Sequence, residues 1–178
     1  MKQLFFLLLL FVFSRGALAS GECNQLRASG IELLPNSVFD LNYPDPLLQG
    51  CFAAYLPSGE AEYQLGIFRA GKLAISLPAT GRADFKTDKF RKQVLRIKAI
   101  GFNDLDGDGK RDILILGATI GAKDDYTILQ VYWNCGDRFF WDHKTMENMV
   151  ESVIGSRPVN LGTIRAYMKK RNIRHVCK

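Results

Sequence analysis

Three stretches that follow closely on one another decide how this chain is read: Val94-Leu-Arg-Ile-Lys-Ala-Ile100, Asp104-Leu-Asp-Gly-Asp-Gly-Lys-Arg-Asp112 and Ile113-Leu-Ile-Leu116. In the first, Leu95, Ile97 and Ala99 alternate with Val94, Arg96 and Lys98, the period of two expected of a strand. The third is a short apolar run rich in β-branched residues, which also reads as a strand. Between them lie four aspartates at positions 1, 3, 5 and 9 of a nine-residue loop, with glycines at positions 4 and 6. The pattern predicts a β-hairpin at about 94–117 whose tip is a curled acidic loop.

An acidic turn is the simplest account of Asp and Gly together, because both are turn residues for local reasons. Four carboxylates in nine residues go further, since without a cation they repel one another. Calcium takes six to eight oxygen ligands, and carboxylates two residues apart converge on one ion when the loop curls around it. Gly109, at position 6, allows the sharp turn that a side chain would resist. The Lys110 carbonyl at position 7 then points inward as a further ligand. The expected ligand set for one calcium ion is therefore Asp104, Asp106, Asp108, Lys110 and Asp112. An EF-hand is excluded, because that motif needs a bidentate Glu at position 12 and flanking helices. Position 12 here is Ile115, inside a strand-like run.

The segment Phe102 to Gly117 resembles one unit of the FG-GAP or VCBS type of calcium repeat. Those repeats set an Asp-rich loop between two strands, followed by an apolar run. The resemblance implies the same five ligands. It covers about sixteen residues and speaks to calcium rather than to activity. Such families stack several copies into a propeller, which needs several blades; only one copy is found here, so the propeller fold is not carried over.

The chain opens with Lys2 and then ten unbroken apolar residues, Leu4 to Phe13, followed by Ala17-Leu-Ala19. This is the pattern of a secretory signal peptide spanning residues 1–19, and the run is too short for a membrane span. No transmembrane segment is expected after cleavage. Export to a periplasmic or extracellular space follows. Cys23, Cys51, Cys135 and Cys177 all lie beyond the cleavage site, and an even count in an exported chain reads as two disulfides. Three pairings are possible, and Cys23–Cys51 with Cys135–Cys177 would pin both ends to the sheet. Zinc is the competing use of cysteine, but no Cys-x-x-Cys spacing exists and the histidines are His143 and His175 alone. Removing residues 1–19 takes away Lys2 and Arg15 and lowers the formal charge from +6 to +4.

Residues 20–178 are long enough for one domain with a real core. Ser20 to Gly50 reads as irregular, broken by Pro35, Pro44 and Pro46. Strand-like runs follow at 50–56, 62–67 and 72–77, then the acidic hairpin, then 127–133 and 138–141, with Ala70-Gly71 as a hairpin turn. Met146, Met149, Val150, Val153 and Ile154 fall at helical spacing, and Leu161, Ile164 and Met168 mark a second helix. The expected fold is α+β: an antiparallel β-sheet of about six or seven strands with two C-terminal helices on one face.

Arg165, Lys169, Lys170, Arg171, Arg174 and Lys178 make the C-terminus basic. A solvated helix face explains such a run better than an anionic partner, so nucleic acid is not expected. Trp133, Phe139, Phe140 and Trp141 are read as core before contact surface. No Gly-x-Ser-x-Gly elbow, His-Glu-x-x-His pair or phosphate-cradling loop occurs, and no catalytic residue is assigned. The sequence favours an exported calcium-binding module with a structural ion and a protein, envelope or glycan partner. An inhibitor or immunity protein against a cell-envelope hydrolase is the alternative. A hydrolase with structural calcium is the third reading.

Overall fold

The computed structural model describes residues 21–60, 63–77, 94–120, 127–141, 160–175 and 177. The expected signal peptide and the helix expected around 146–154 lie outside these residues.

The expectation of one sheet of six or seven strands with two C-terminal helices is corrected in the number of strands and sheets, and an unexpected helix stands near the N-terminus. Nine strands are present among the described residues, divided between an antiparallel sheet of five and an antiparallel sheet of four. One of the two described α-helices, α1 (Glu22–Ala28), stands near the N-terminus, and the other, α2 (Leu161–Arg171), near the C-terminus. The chain keeps an α+β character but is mostly β.

The first sheet contains β1 (Glu32–Leu33), β2 (Phe39–Asn42), β3 (Gln49–Leu56), β4 (Gln64–Arg69) and β5 (Lys72–Leu77). Its order is β1-β3-β4-β5, with β2 also paired to β3. The β4–β5 turn places Ala70 at φ 48° and Gly71 at φ 72°, the two positive values that match a tight hairpin to the strand twist. The second sheet is a meander of β6 (Val94–Asn103), β7 (Asp112–Ile120), β8 (Thr127–Asn134) and β9 (Phe139–Trp141).

Side-chain alternation sorts these strands into layers. Phe52 and Ala54 of β3, Leu65 and Ile67 of β4, Ile113 and Ile115 of β7, and Tyr132 of β8 share one buried cluster. The two sheets therefore pack face to face. On the outer face of the first sheet, Cys51, Ala53, Tyr55 and Phe68 pack with Cys23 and Leu26 of α1. On the outer face of the second, Leu114, Leu116, Leu129, Val131 and Trp133 pack with Ile164 and Met168 of α2. Strands β3 and β7 are thus covered on both faces, which is why each reads as an unbroken apolar run.

Helix α2 is set by a capping box: the Asn160 side chain accepts from the Thr163 N–H at 3.0 Å, and Thr163 Oγ1 accepts from the Asn160 N–H at 3.1 Å. It ends at Asn172 in the left-handed region. Arg165, Lys169, Lys170 and Arg171 are exposed on it.

The two disulfides join Cys23 to Cys51 and Cys135 to Cys177. The first ties α1 to β3; the second ties the β8–β9 turn to the C-terminal tail. Loops of these lengths lend about 3–4 kcal/mol each in the chain-entropy picture. Each fully buried leucine or phenylalanine contributes about 1.5–3 kcal/mol, so the many-membered core between the sheets outweighs both disulfides together.

Candidate metal centre

The acidic loop joins β6 to β7. The two strands pair from Asn103↔Asp112 at the loop to Val94↔Ile120 at the far end. The loop begins at Asp104, where the ladder stops.

Two glycines shape it. Gly107 has φ 83° and Gly109 φ 87°, and a Cβ at either would meet nothing within 4 Å. Space is not what demands glycine here; the left-handed backbone is. The curl is held by carboxylates accepting from the loop's own backbone. Asp104 accepts from the Gly107 N–H at 2.7 Å and the Gly109 N–H at 3.0 Å. Asp106 accepts from the Asp108 N–H at 3.2 Å, and Asp108 from the Lys110 N–H at 2.8 Å.

The result is convergence. One carboxylate oxygen from each of Asp104, Asp106 and Asp108 lies within 4.8 Å of the other two, so the three could hold a metal ion. Two oxygens on opposite sides of a calcium ion, each at about 2.4 Å, stand about 4.8 Å apart. The three carboxylates therefore fit around a single ion of that size, and their hard oxygen chemistry suits calcium better than a thiophilic metal. Asp108 already has one cationic partner, because the Lys110 ammonium lies 2.7 Å from its Oδ2. Partial burial pushes the Asp108 carboxyl up, but the bonds from Lys110 outweigh it and hold the group below its ordinary value.

Asp112 is placed differently from the other three. It is buried and stands outside the converging group. Its Oδ2 accepts from the Leu105 N–H and its Oδ1 from the Asn134 N–H, both at 2.9 Å. It closes the base of the loop and fastens it to β8. Desolvation pushes its carboxyl up to about 7, against the lowering effect of those two N–H bonds.

A raised folded-state value means that the protonated carboxyl is favoured in the folded chain. Its stabilising contribution is full below the unfolded value near 4 and is lost as pH rises through about 7. With metal chelated, folding stability is therefore expected to fall from pH 4 to pH 7.5 by an amount traceable to Asp112, on the order of 4 kcal/mol at most. Denaturant titrations of wild type and Asp112→Asn check this. The wild-type decline should exceed that of the variant; parallel curves would remove Asp112 as its source.

Residues far away in sequence complete the surroundings. The Asn134 side-chain amide donates to the Arg111 carbonyl at 3.1 Å and also to Asp45 Oδ2. The Arg111 guanidinium lies 4.7 Å from the centre of the Tyr43 ring. The His175 N–H donates to Asp106 Oδ2 at 3.3 Å. None of Asn134, Asp45 or His175 is signalled by the loop's spacing, since each arrives from another strand, turn or tail.

Cys135, His175 and Cys177 also bring potential ligand atoms within 4.8 Å of one another. The two sulfurs are bonded to each other, whereas a zinc ligand must be a thiolate, so this cluster is not a zinc site in the disulfide form.

No described helix is long and apolar enough to cross a membrane. No protein-family model matches this chain, and neither the curated proteins nor the solved structures yield a significant match to it.

Proposed function

We propose that this protein is a small exported calcium-binding module in which the ion stiffens the β6–β7 hairpin and so presents a surface to a protein, envelope or glycan partner. The observation that carries this reading is the convergence of Asp104, Asp106 and Asp108 at the tip of a hairpin, on a loop bent by two left-handed glycines. On the FG-GAP or VCBS resemblance, the Lys110 carbonyl and Asp112 complete the ligand set. Two disulfides support an oxidising compartment. Calcium is abundant outside cells, so a site with a dissociation constant of about 10⁻⁴ to 10⁻³ M would be filled there. On this reading the role is structural, because the triad sits on a loop fastened at its base through Asp112.

Calorimetric titration with calcium tests the reading. One ion per chain is expected, with magnesium binding more weakly. Asp108→Ala removes one of three converging carboxylates while the core and both disulfides remain. It should weaken calcium affinity by about 10-fold or more and leave the metal-free melting temperature within a few degrees of wild type, since surface changes cost about 0.5 kcal/mol or less. Unchanged affinity in this variant would take the site away from the loop.

A further inference from the structure

The C-terminal tail reaches the acidic loop through one hydrogen bond and is held beside it by two kinds of contact to β8, β9 and the turn between them. Cys177 is bonded to Cys135, in the turn that follows β8. Two residues earlier, the His175 ring stacks on Trp133, with centroids 5.4 Å apart and 7° between planes, and on Phe140, at 4.8 Å and 19°. Between these anchorages the His175 N–H reaches Asp106 Oδ2 at 3.3 Å. The last residue of β8 fastens the loop from the other side, through the Asn134 N–H on Asp112. The second oxygen of Asp106 is held by the Asp108 N–H. Each Asp106 oxygen thus has one N–H donor and retains a lone pair for a cation.

We infer that the Cys135–Cys177 disulfide is a positioning device for the cation loop: it holds the His175 N–H on Asp106, and the loop's calcium affinity depends on this disulfide being intact. The inference rests on the calcium reading of residues 104–112. Groups that orient metal ligands from behind typically govern 10–100-fold in affinity. Without the covalent tie, the contacts described for the tail are the packing of Ile173 against the outer-face cluster and the ring stack of His175, the latter in part on Phe140, which is 44% exposed. Asp106 then loses its donor whenever the tail lifts.

The chemistry balances as thiol–disulfide exchange. A dithiol reductant supplies two electrons and two protons, Cys135 and Cys177 become thiols, and the reductant becomes a disulfide. Cys23–Cys51 has no such connection. It joins α1 to β3 on the outer face of the other sheet, so its loss should not alter the affinity of the loop.

The test is calcium titration of four forms of the chain from residue 20: wild type, Cys135→Ser/Cys177→Ser, Cys23→Ser/Cys51→Ser and His175→Ala. Serine in place of cysteine also leaves no thiol at these positions to take up metal. We expect the Cys135/Cys177 variant to bind about tenfold more weakly or worse, and the Cys23/Cys51 variant to match wild type. His175→Ala should be weakened to a lesser degree, and His175→Phe should restore affinity by restoring the stack. Circular dichroism at the titration temperature confirms that each form is folded; should the double-serine variant be unfolded, the His175 pair carries the decision. Wild-type binding with equal affinity in the Cys135/Cys177 and His175→Ala variants would overturn the inference alone. Absence of binding in the oxidised wild type would overturn the calcium reading, and this inference with it.

Discussion

Asp112→Ala is expected to lower the unfolding free energy of the metal-free protein by about 2–3 kcal/mol, far more than the loss of any other aspartate in the loop. The carboxylate accepts from two backbone N–H groups, on Leu105 and Asn134, and the second of these is buried. An N–H left buried without a partner costs about 1–3 kcal/mol, and the removed carboxyl leaves unfilled space as well. Relief of a desolvated charge offsets part of this at neutral pH, which is why the sum of the two N–H losses is not reached. The contrast with Asp108 is the diagnostic feature. Asp108 is exposed and its bonds are to Lys110 beside it, so its loss should affect metal binding and little else. Denaturant unfolding in the presence of a chelator separates the two. Equal stability of Asp112→Ala and wild type would mean that the base of the loop is not fastened to β8 as described.

The second large effect concerns the contact between the sheets. Phe52, on β3, is fully buried and meets the Phe102 ring of β6 edge-on at 6.0 Å, with Phe39 at 6.3 Å. Phe102 stands two residues before Asp104, so one aromatic contact joins the first sheet to the root of the acidic loop. Truncation to alanine should cost about 3–5 kcal/mol, the range for emptying a buried phenylalanine site. Part of that loss should be visible locally as faster amide exchange at the β6–β7 ladder. A cost under 1 kcal/mol would contradict face-to-face packing of the two sheets at this position.

How far the sequence carried the fold depended on how local each signal was. Period-two alternation and apolar runs mark β3 to β9 because those patterns lie within single strands. The number of sheets was not legible. Ile113 and Ile115 face one cluster and Leu114 and Leu116 another, but a run apolar at every position does not say whether sheet or helix lies on each side. β1 and β2 were missed because two and four residues are too short for a period; Ser20 to Gly50 looked irregular through its prolines. The acidic triad was legible because its members sit two residues apart. Asp112's different situation was not, since its burial is produced by β8 and its second donor by Asn134, 22 residues away. The contact of His175 with Asp106, 69 residues apart, leaves no trace in local pattern.

The most direct test of the central claim is a thermal melt of the chain from residue 20, in calcium at tenfold the dissociation constant and in excess chelator. Binding to the native state alone contributes about 1.4 kcal/mol at that ratio. For a domain of this size, this corresponds to a rise in midpoint of about 3–6 °C. A rise of that order, abolished by Asp104→Ala, is the expected result. Coincident melts in calcium and chelator, with no heat of binding, would contradict it and leave residues 104–112 as an acidic turn held by its own backbone hydrogen bonds.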